Sequence, residues 1–146
     1  MKIFGGALII LASVFSSYCY EKSLKEKINK LGDVINFLAY IGRQIDYFSS
    51  PLKKIFNDYE NKTDTVNCLI ENKTVYGLDG DITLKINSCF SSLGEVYKRE
   101  QLTVINYTLC EVQEKLKMME NSKSDKIKVF RAISLFVGIS FVILLV

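Results

Sequence analysis

The stretch Leu93–Val146, LGEVYKREQLTVINYTLCEVQEKLKMMENSKSDKIKVFRAISLFVGISFVILLV, decides the fold. Leu102, Ile105, Leu109, Val112, Leu116 and Met119 alternate by three and four, which draws one apolar stripe along a helix. The same phase passes Lys123 and Lys126 and turns apolar again at Phe130 and Ile133. No glycine or proline interrupts it between Gly94 and Gly138. The spacing predicts an amphipathic helix that runs on as a membrane-spanning one. The first fifth of the chain mirrors it, with the apolar segment first.

That first segment, Ile3–Tyr20, is IFGGALIILASVFSSYCY and carries no charge. Its 18 residues would make a helix of roughly 27 Å, close to the hydrocarbon thickness of a bilayer. A cleaved secretory signal is the rival reading, since Lys2 is basic and Ser17-Tyr18-Cys19 is a passable small-x-small site. The helical pattern that continues from Glu21 favours a retained span.

From there Leu24, Ile28, Leu31, Ile35, Leu38, Gly42 and Ile45 keep a four-three alternation, and Val34, Phe37 and Ile41 widen the face. This is a core face, on a helix expected to end near Phe48. Ser49-Ser50-Pro51 then restarts the chain, with serine as N-cap and proline in the first helical position. A short helix follows, with Leu52, Ile55, Phe56 and Tyr59 on one side, and another is expected around Asp64 to Lys73. Gly77 to Asp81 is a loop, with its two aspartates as turn and N-cap. A helix from Ile82 to Leu93 would bury Ile82, Ile86, Cys89, Phe90 and Leu93, and Gly94 suits its left-handed C-terminal position.

The expected fold is all-α: a small antiparallel helical bundle whose first and last helices continue into N- and C-terminal transmembrane helices. The expected segments are an N-terminal span at 1–20, a helical bundle at 21–128 and a C-terminal span at 129–146. The last span has only 15 residues after Arg131, and Val129 and Phe130 extend it if Arg131 snorkels to the headgroups. Lys22, Lys25, Lys27 and Lys30 follow the first span, while Lys123, Lys126, Lys128 and Arg131 precede the second. The positive-inside rule then puts the middle domain in the cytoplasm and both termini across the membrane. Lys22, Lys25, Lys128 and Arg131 are the expected interface anchors.

Chemistry is scarce. With no histidine, the commonest general base and imidazole metal ligand are both missing. Cys19, Cys68, Cys89 and Cys110 form no Cys-x-x-Cys pair, which speaks against zinc and for reduced thiols used as small core fillers. No Gly-rich phosphate loop and no Gly-x-Ser-x-Gly turn occur. Pairs such as Asp79/Asp81 and Glu111/Glu114 suit a solvated loop or helix face. The net charge of +3 is weak and interleaved, a poor basis for nucleic-acid binding. No catalytic, metal or cofactor-binding residue is assigned, and no small-molecule substrate is expected. Three Asn-x-Thr sequons, at Asn61, Asn72 and Asn106, are read as chance in a chain rich in asparagine and lysine.

Three separated stretches resemble the stage III sporulation protein AB family. The chain opens with MKIFGGALIILAS before a lysine-rich helix; its first bundle helix ends in Ile45-Asp46-Tyr47 and restarts at Pro51-Leu52; and Leu93-Gly94, Gln101 and Lys128-Val129-Phe130-Arg131 through Leu145 resemble the family's closing pattern. The resemblance covers 1–59 and 88–146, and the middle, 60–87, does not match. It implies a subunit of the channel complex linking mother cell and forespore, similar to the inner-membrane platform proteins of type II secretion and type IV pilus systems. By the same resemblance the head would contact a secretion-type ATPase and other subunits, and the spans would sit in the outer forespore membrane. Tyr47, Pro51 and Leu52, with Leu93, Gly94 and Gln101 on the facing element, are the implied partner contacts. Two alternatives stand beside it. One is a secreted, lipid-anchored surface glycoprotein with a cleaved signal peptide. The other is an unrelated membrane-tethered helical interaction protein.

Overall fold

The computed structural model describes residues 2–48 and 50–145, with side chains described except at 2–7, 10, 142, 144 and 145. Every regular element among these is helical: α1 (Lys2–Arg43), a π-helical turn (Gln44–Phe48), α2 (Leu52–Asp58), α3 (Asp64–Ile70), α4 (Gly80–Ser92) and α5 (Lys98–Leu145). Packing divides the chain into two compact units, one made of Met1–Glu26 with Met118–Val146 and the other of Lys27–Lys117. This division does not coincide with the one hydropathy suggests at residues 20 and 129.

In the Lys27–Lys117 unit the two long helices run antiparallel. A methyl group on Gly42 of α1 would touch the Ile105 side chain of α5 at 3.4 Å, an ordinary van der Waals contact. At the other end Lys27 of α1 and Lys115 of α5 both reach the Asp79 carboxylate, at 3.8 and 2.7 Å. Phe37 is the hub of the core. It is fully buried, and its ring centroid lies 4.8 Å from Tyr59, 5.7 Å from Phe90 and 5.8 Å from Phe56. Aromatic pairs at these separations add to the burial of their area.

The expected stripes are present, with their centres shifted. Leu24, Leu31 and Leu38 on α1, Ile45 on the π-helical turn, and Ile105, Val112 and Met119 on α5 are buried. The intervening members, Ile28 and Ile35, or Leu102, Leu109 and Leu116, are half-buried. On α1 the true centre of the face is the flanking set Val34, Phe37 and Ile41, all fully buried. The small helices pack on that side, which sequence spacing alone does not reveal.

The local signals were mostly well placed. α4 buries Ile82, Ile86, Cys89, Phe90 and, at its C-cap, Leu93. Gly94 follows at φ +89°, a left-handed conformation that costs glycine little. Thr63 caps α3 by accepting from the Val66 N–H, and Asn72 takes the left-handed position beyond its end at φ 53°. The restart at Pro51 is displaced by one residue: proline is the N-cap itself, its carbonyl accepting from Lys54 and Ile55, with no side-chain cap bond; Ser49 lies outside the described residues. Asp79 occupies the N-cap position of α4 but makes no side-chain cap bond, because its carboxylate is held by Lys27 and Lys115. The final helix starts at Lys98.

In the other unit the N-terminal part of α1 and the C-terminal part of α5 also lie antiparallel. The Tyr20 and Phe130 rings stack at 4.3 Å, Arg131 donates to Glu21 at 2.6 Å, and a methyl group on Gly138 would collide with the Ser13 hydroxyl at 2.6 Å. Around this seam the outward faces are apolar, with Leu8, Leu11, Phe15, Phe136 and Ile143 all more than 60% exposed. Among the described residues no helix is long and apolar enough to cross a membrane. The expected transmembrane helices, 1–20 and 129–146, fall partly on side chains outside the description. What remains is diluted by Ser13, Ser16, Ser17 and two tyrosines in the first, and by Arg131, Ser134 and Ser140 in the second. The structure therefore does not carry the expectation of terminal transmembrane helices.

Phe37→Ala should lower the unfolding free energy of the full chain by about 3–5 kcal/mol, the usual cost of a large void in a well-packed core. Tyr47→Ala, at a 77% exposed position, should stay within about 0.5 kcal/mol. Urea unfolding followed by circular dichroism distinguishes the two.

Candidate partner-docking site

The candidate site forms where two chain reversals meet. α1 ends in the π-helical turn, whose wider winding carries Ile45 inward while Tyr47 and Phe48 remain exposed. Turns of this kind inside or at the end of an α-helix often mark functional positions. α4 ends at Leu93 and Gly94. The left-handed Gly94 brings its backbone so close to Leu52 that a methyl group there would lie 3.0 Å from Leu52 Cδ1. Between these reversals opens a cavity of about 370 Å3, lined by Ile45, Ser50, Pro51, Leu52, Lys53, Gly94, Lys98 and Gln101.

Four of the six sequence-predicted contacts thus come together: Pro51, Leu52, Gly94 and Gln101 line one cavity. Leu93 is buried beside it as part of the core. Tyr47 stands apart, on a separate groove between α1 and α5 with Gly42, Ile105 and Gln113. Sequence spacing missed Ile45, Lys53 and Lys98. Ile45 was assigned to the core stripe, and the lysines look like any solvated helix face until the helices are packed.

Internal bonds fix the rim. Lys98 Nζ donates to the Asp46 carbonyl at 2.8 Å, tying the start of α5 to the π-helical turn. Gln101 Nε2 donates to the Val96 carbonyl at 2.7 Å and closes the approach to α5. Among the described lining residues Lys53 and Lys98 are the charged ones, and none is a histidine, cysteine or carboxylate. Such a surface can take up an apolar side chain.

The expected interface anchors have different fates. Lys22, Lys25 and Lys128 are exposed, whereas Arg131 is paired with Glu21 at 2.6 Å. None of the four cysteines is paired. Cys19 and Cys110 are exposed, Cys68 is half-buried and Cys89 is buried. Burial pushes the Cys89 thiol above its ordinary pKa, against a smaller opposing effect of a hydrogen bond with Thr108. Burial, followed by the charge of Asp33, likewise raises Tyr59. Among the described residues no group of three potential ligands could hold a metal.

Of the carboxylate pair Glu111/Glu114, Glu111 is held by its neighbours. Lys85 Nζ and the Tyr107 hydroxyl both donate to Glu111 Oε1 at 2.7 Å. The Lys85 hydrogen bond, then that of Tyr107, lowers the Glu111 pKa below 4.5. The same bond raises Lys85 above 10.5. This cluster links α4 to α5 by a structural contact.

Residues 2–74, half of the chain, match the family model described as stage III sporulation protein AB. The match takes in Tyr47, Pro51 and Leu52, and it includes 60–74, where sequence inspection found no likeness. Leu93, Gly94 and Gln101 lie beyond it. No curated protein and no solved structure matches the chain.

The Lys85–Glu111 link should make the stability difference between the native chain and Glu111→Gln depend on pH. A lowered carboxylate pKa contributes stability above the ordinary value of 4.5, lost as pH falls through the folded value. A raised lysine pKa contributes below 10.5 and is lost as pH rises through its folded value. The Tm difference should therefore be flat between these limits and shrink outside both, as followed by thermal melts across pH.

Proposed function

Because the chain belongs to the stage III sporulation protein AB family, we propose that it is a membrane-attached structural subunit of the channel complex between mother cell and forespore. In this reading the Lys27–Lys117 unit is a cytoplasmic platform that contacts a secretion-type ATPase and neighbouring subunits. The family is one of sporulation assembly and not a known enzyme family. Its work is contact.

One observation carries the platform reading: Pro51, Leu52, Gly94 and Gln101, far apart in the chain, line one open cavity. A rigid scaffold that presents an unfilled apolar recess is suited to receiving a partner's side chain. Tyr47, exposed on the adjoining π-helical turn, adds an aromatic handle of the kind enriched at interfaces.

Membrane attachment belongs to the same proposal. Residues 3–20 and 132–146 carry no charge, and the paired terminal segments turn Leu8, Leu11, Phe15, Phe136 and Ile143 outward. Exposed apolar side chains on this scale suit a lipid environment better than water. Lys22, Lys25 and Lys128 then lie where basic residues meet headgroups, on the cytoplasmic side by the positive-inside rule. Arg131 would enter the interface neutralised by Glu21, which lowers the cost of its depth. The proposed location is the outer forespore membrane, with both termini extracytoplasmic.

The experiment is thiol labelling of sporulating cells with a membrane-impermeant reagent. Cys110 is the informative position, being exposed in the Lys27–Lys117 unit. It should stay unlabelled in intact cells and react once the membrane is permeabilised. Cys89, buried and with a raised pKa, should react only after denaturation. A secretion-type ATPase should then co-purify with the tagged chain. Labelling of Cys110 from outside, or a mature chain starting after Cys19, would leave the anchored surface glycoprotein as the better account.

A further inference from the structure

We infer that a second copy of this chain docks in the groove between α1 and α5, related to the first by a two-fold axis, with Arg43 of each copy meeting Asp46 of the other. This surface is not the recess at Leu52, so the inference stands or falls apart from the platform reading.

The groove, of about 620 Å3, opens where Ile35, Ala39 and Gly42 of α1 pass Leu102, Asn106 and Leu109 of α5. Among the described residues none of α2, α3 or α4 lines it. Those helices cover the side centred on Phe37 and leave this one open. Along α1 the residues Ile28, Gly32, Ile35, Ala39, Gly42 and Asp46 repeat by four and three, as do Leu102, Asn106, Leu109, Gln113 and Leu116 along α5. Each row is a seam of the kind that packs against another helix. The chain's own core does not use them up: it buries Leu31, Val34, Leu38, Ile105 and Val112, while Ile35, Leu102 and Leu109 stay half-buried. The α1 row is open, since a methyl group on Gly32 would meet nothing within 4 Å.

Charge identifies the occupant. Arg43 and Asp46 are the charged side chains of the lining, one of each sign, and both are exposed. Although three residues apart, they form no ion pair with each other or with any other described residue. Lys98 donates to the backbone carbonyl of Asp46 and leaves the carboxylate unpaired. A patch with one unpaired cation and one unpaired anion is complementary to itself, because a two-fold axis sets each against its opposite and makes two ion pairs. With the axis along the groove the copies stand level, and the three-residue offset is a rise of about 4.5 Å, within the span of an arginine side chain. The amides of Asn36, Asn106 and Gln113 match themselves in the same way, each carrying donors and an acceptor. A foreign helix would have to bring both charges in this order. A second copy carries them already.

The test is the mass of the full-length chain in mild detergent, by light scattering and sedimentation equilibrium across a concentration series. The expected mass is that of two chains, with a dissociation constant that rises with salt. Arg43→Glu sets like charges against each other and should raise that constant by about tenfold or more, and Asp46→Arg should do the same. The double variant Arg43→Glu/Asp46→Arg restores both pairs with their signs exchanged and should recover native association. Both positions are exposed, so circular dichroism and melting should stay unchanged and misfolding cannot account for lost association. A monomer or an assembly larger than two would overturn the proposal. So would a dimer indifferent to the single reversals, as one held by the terminal apolar segments would be, or a double variant that stays dissociated.

Discussion

Burial of Phe37 forces the rest of the Lys27–Lys117 unit into place. An aromatic ring at the centre of α1 must leave water, and two helices alone cannot enclose it. Tyr59 at the end of α2, Phe56 within α2 and Phe90 on α4 supply the missing walls. To bring all three within about 6 Å, the chain must reverse after α1 and again before α4. The first of these reversals carries Pro51 and Leu52 to the candidate docking site.

The terminal unit is held together differently. Its seam combines a stacked Tyr20–Phe130 pair, the Glu21–Arg131 ion pair and the close passage of Ser13 against Gly138. Glycine opposite serine lets two backbones approach more closely than larger residues would. Many of this unit's apolar side chains line the outside, while Leu24 and Met119 are buried.

Some of this organisation was legible from the sequence because its cause is local. The three-four spacing of Ile105, Val112 and Met119 needs no tertiary information to mark a helix face. A glycine after an apolar helix end, as at Gly94, is a left-handed cap whatever lies around it. Pro51, Leu52, Gly94 and Gln101 were named as expected partner contacts through family resemblance; spacing gave no ground for that role.

Other features depend on distant neighbours. Asp79 fits the pattern of an N-cap, yet its carboxylate turns to Lys27 and Lys115 because the fold brings two cations within reach. Serine before Pro51 fits a cap, yet the chain enters α2 through the proline, whose carbonyl accepts from Lys54 and Ile55. Ile45 is core as its spacing says, but that it also lines a cavity with lysines 53 and 98 is set by packing. The sequence by itself determined the helices, the outline of their apolar faces and the left-handed cap at Gly94, since each rests on contacts within a turn or two. Only the tertiary structure decided which face Phe37 centres, where Asp79 points and which lysines share a rim, because those contacts join residues dozens of positions apart.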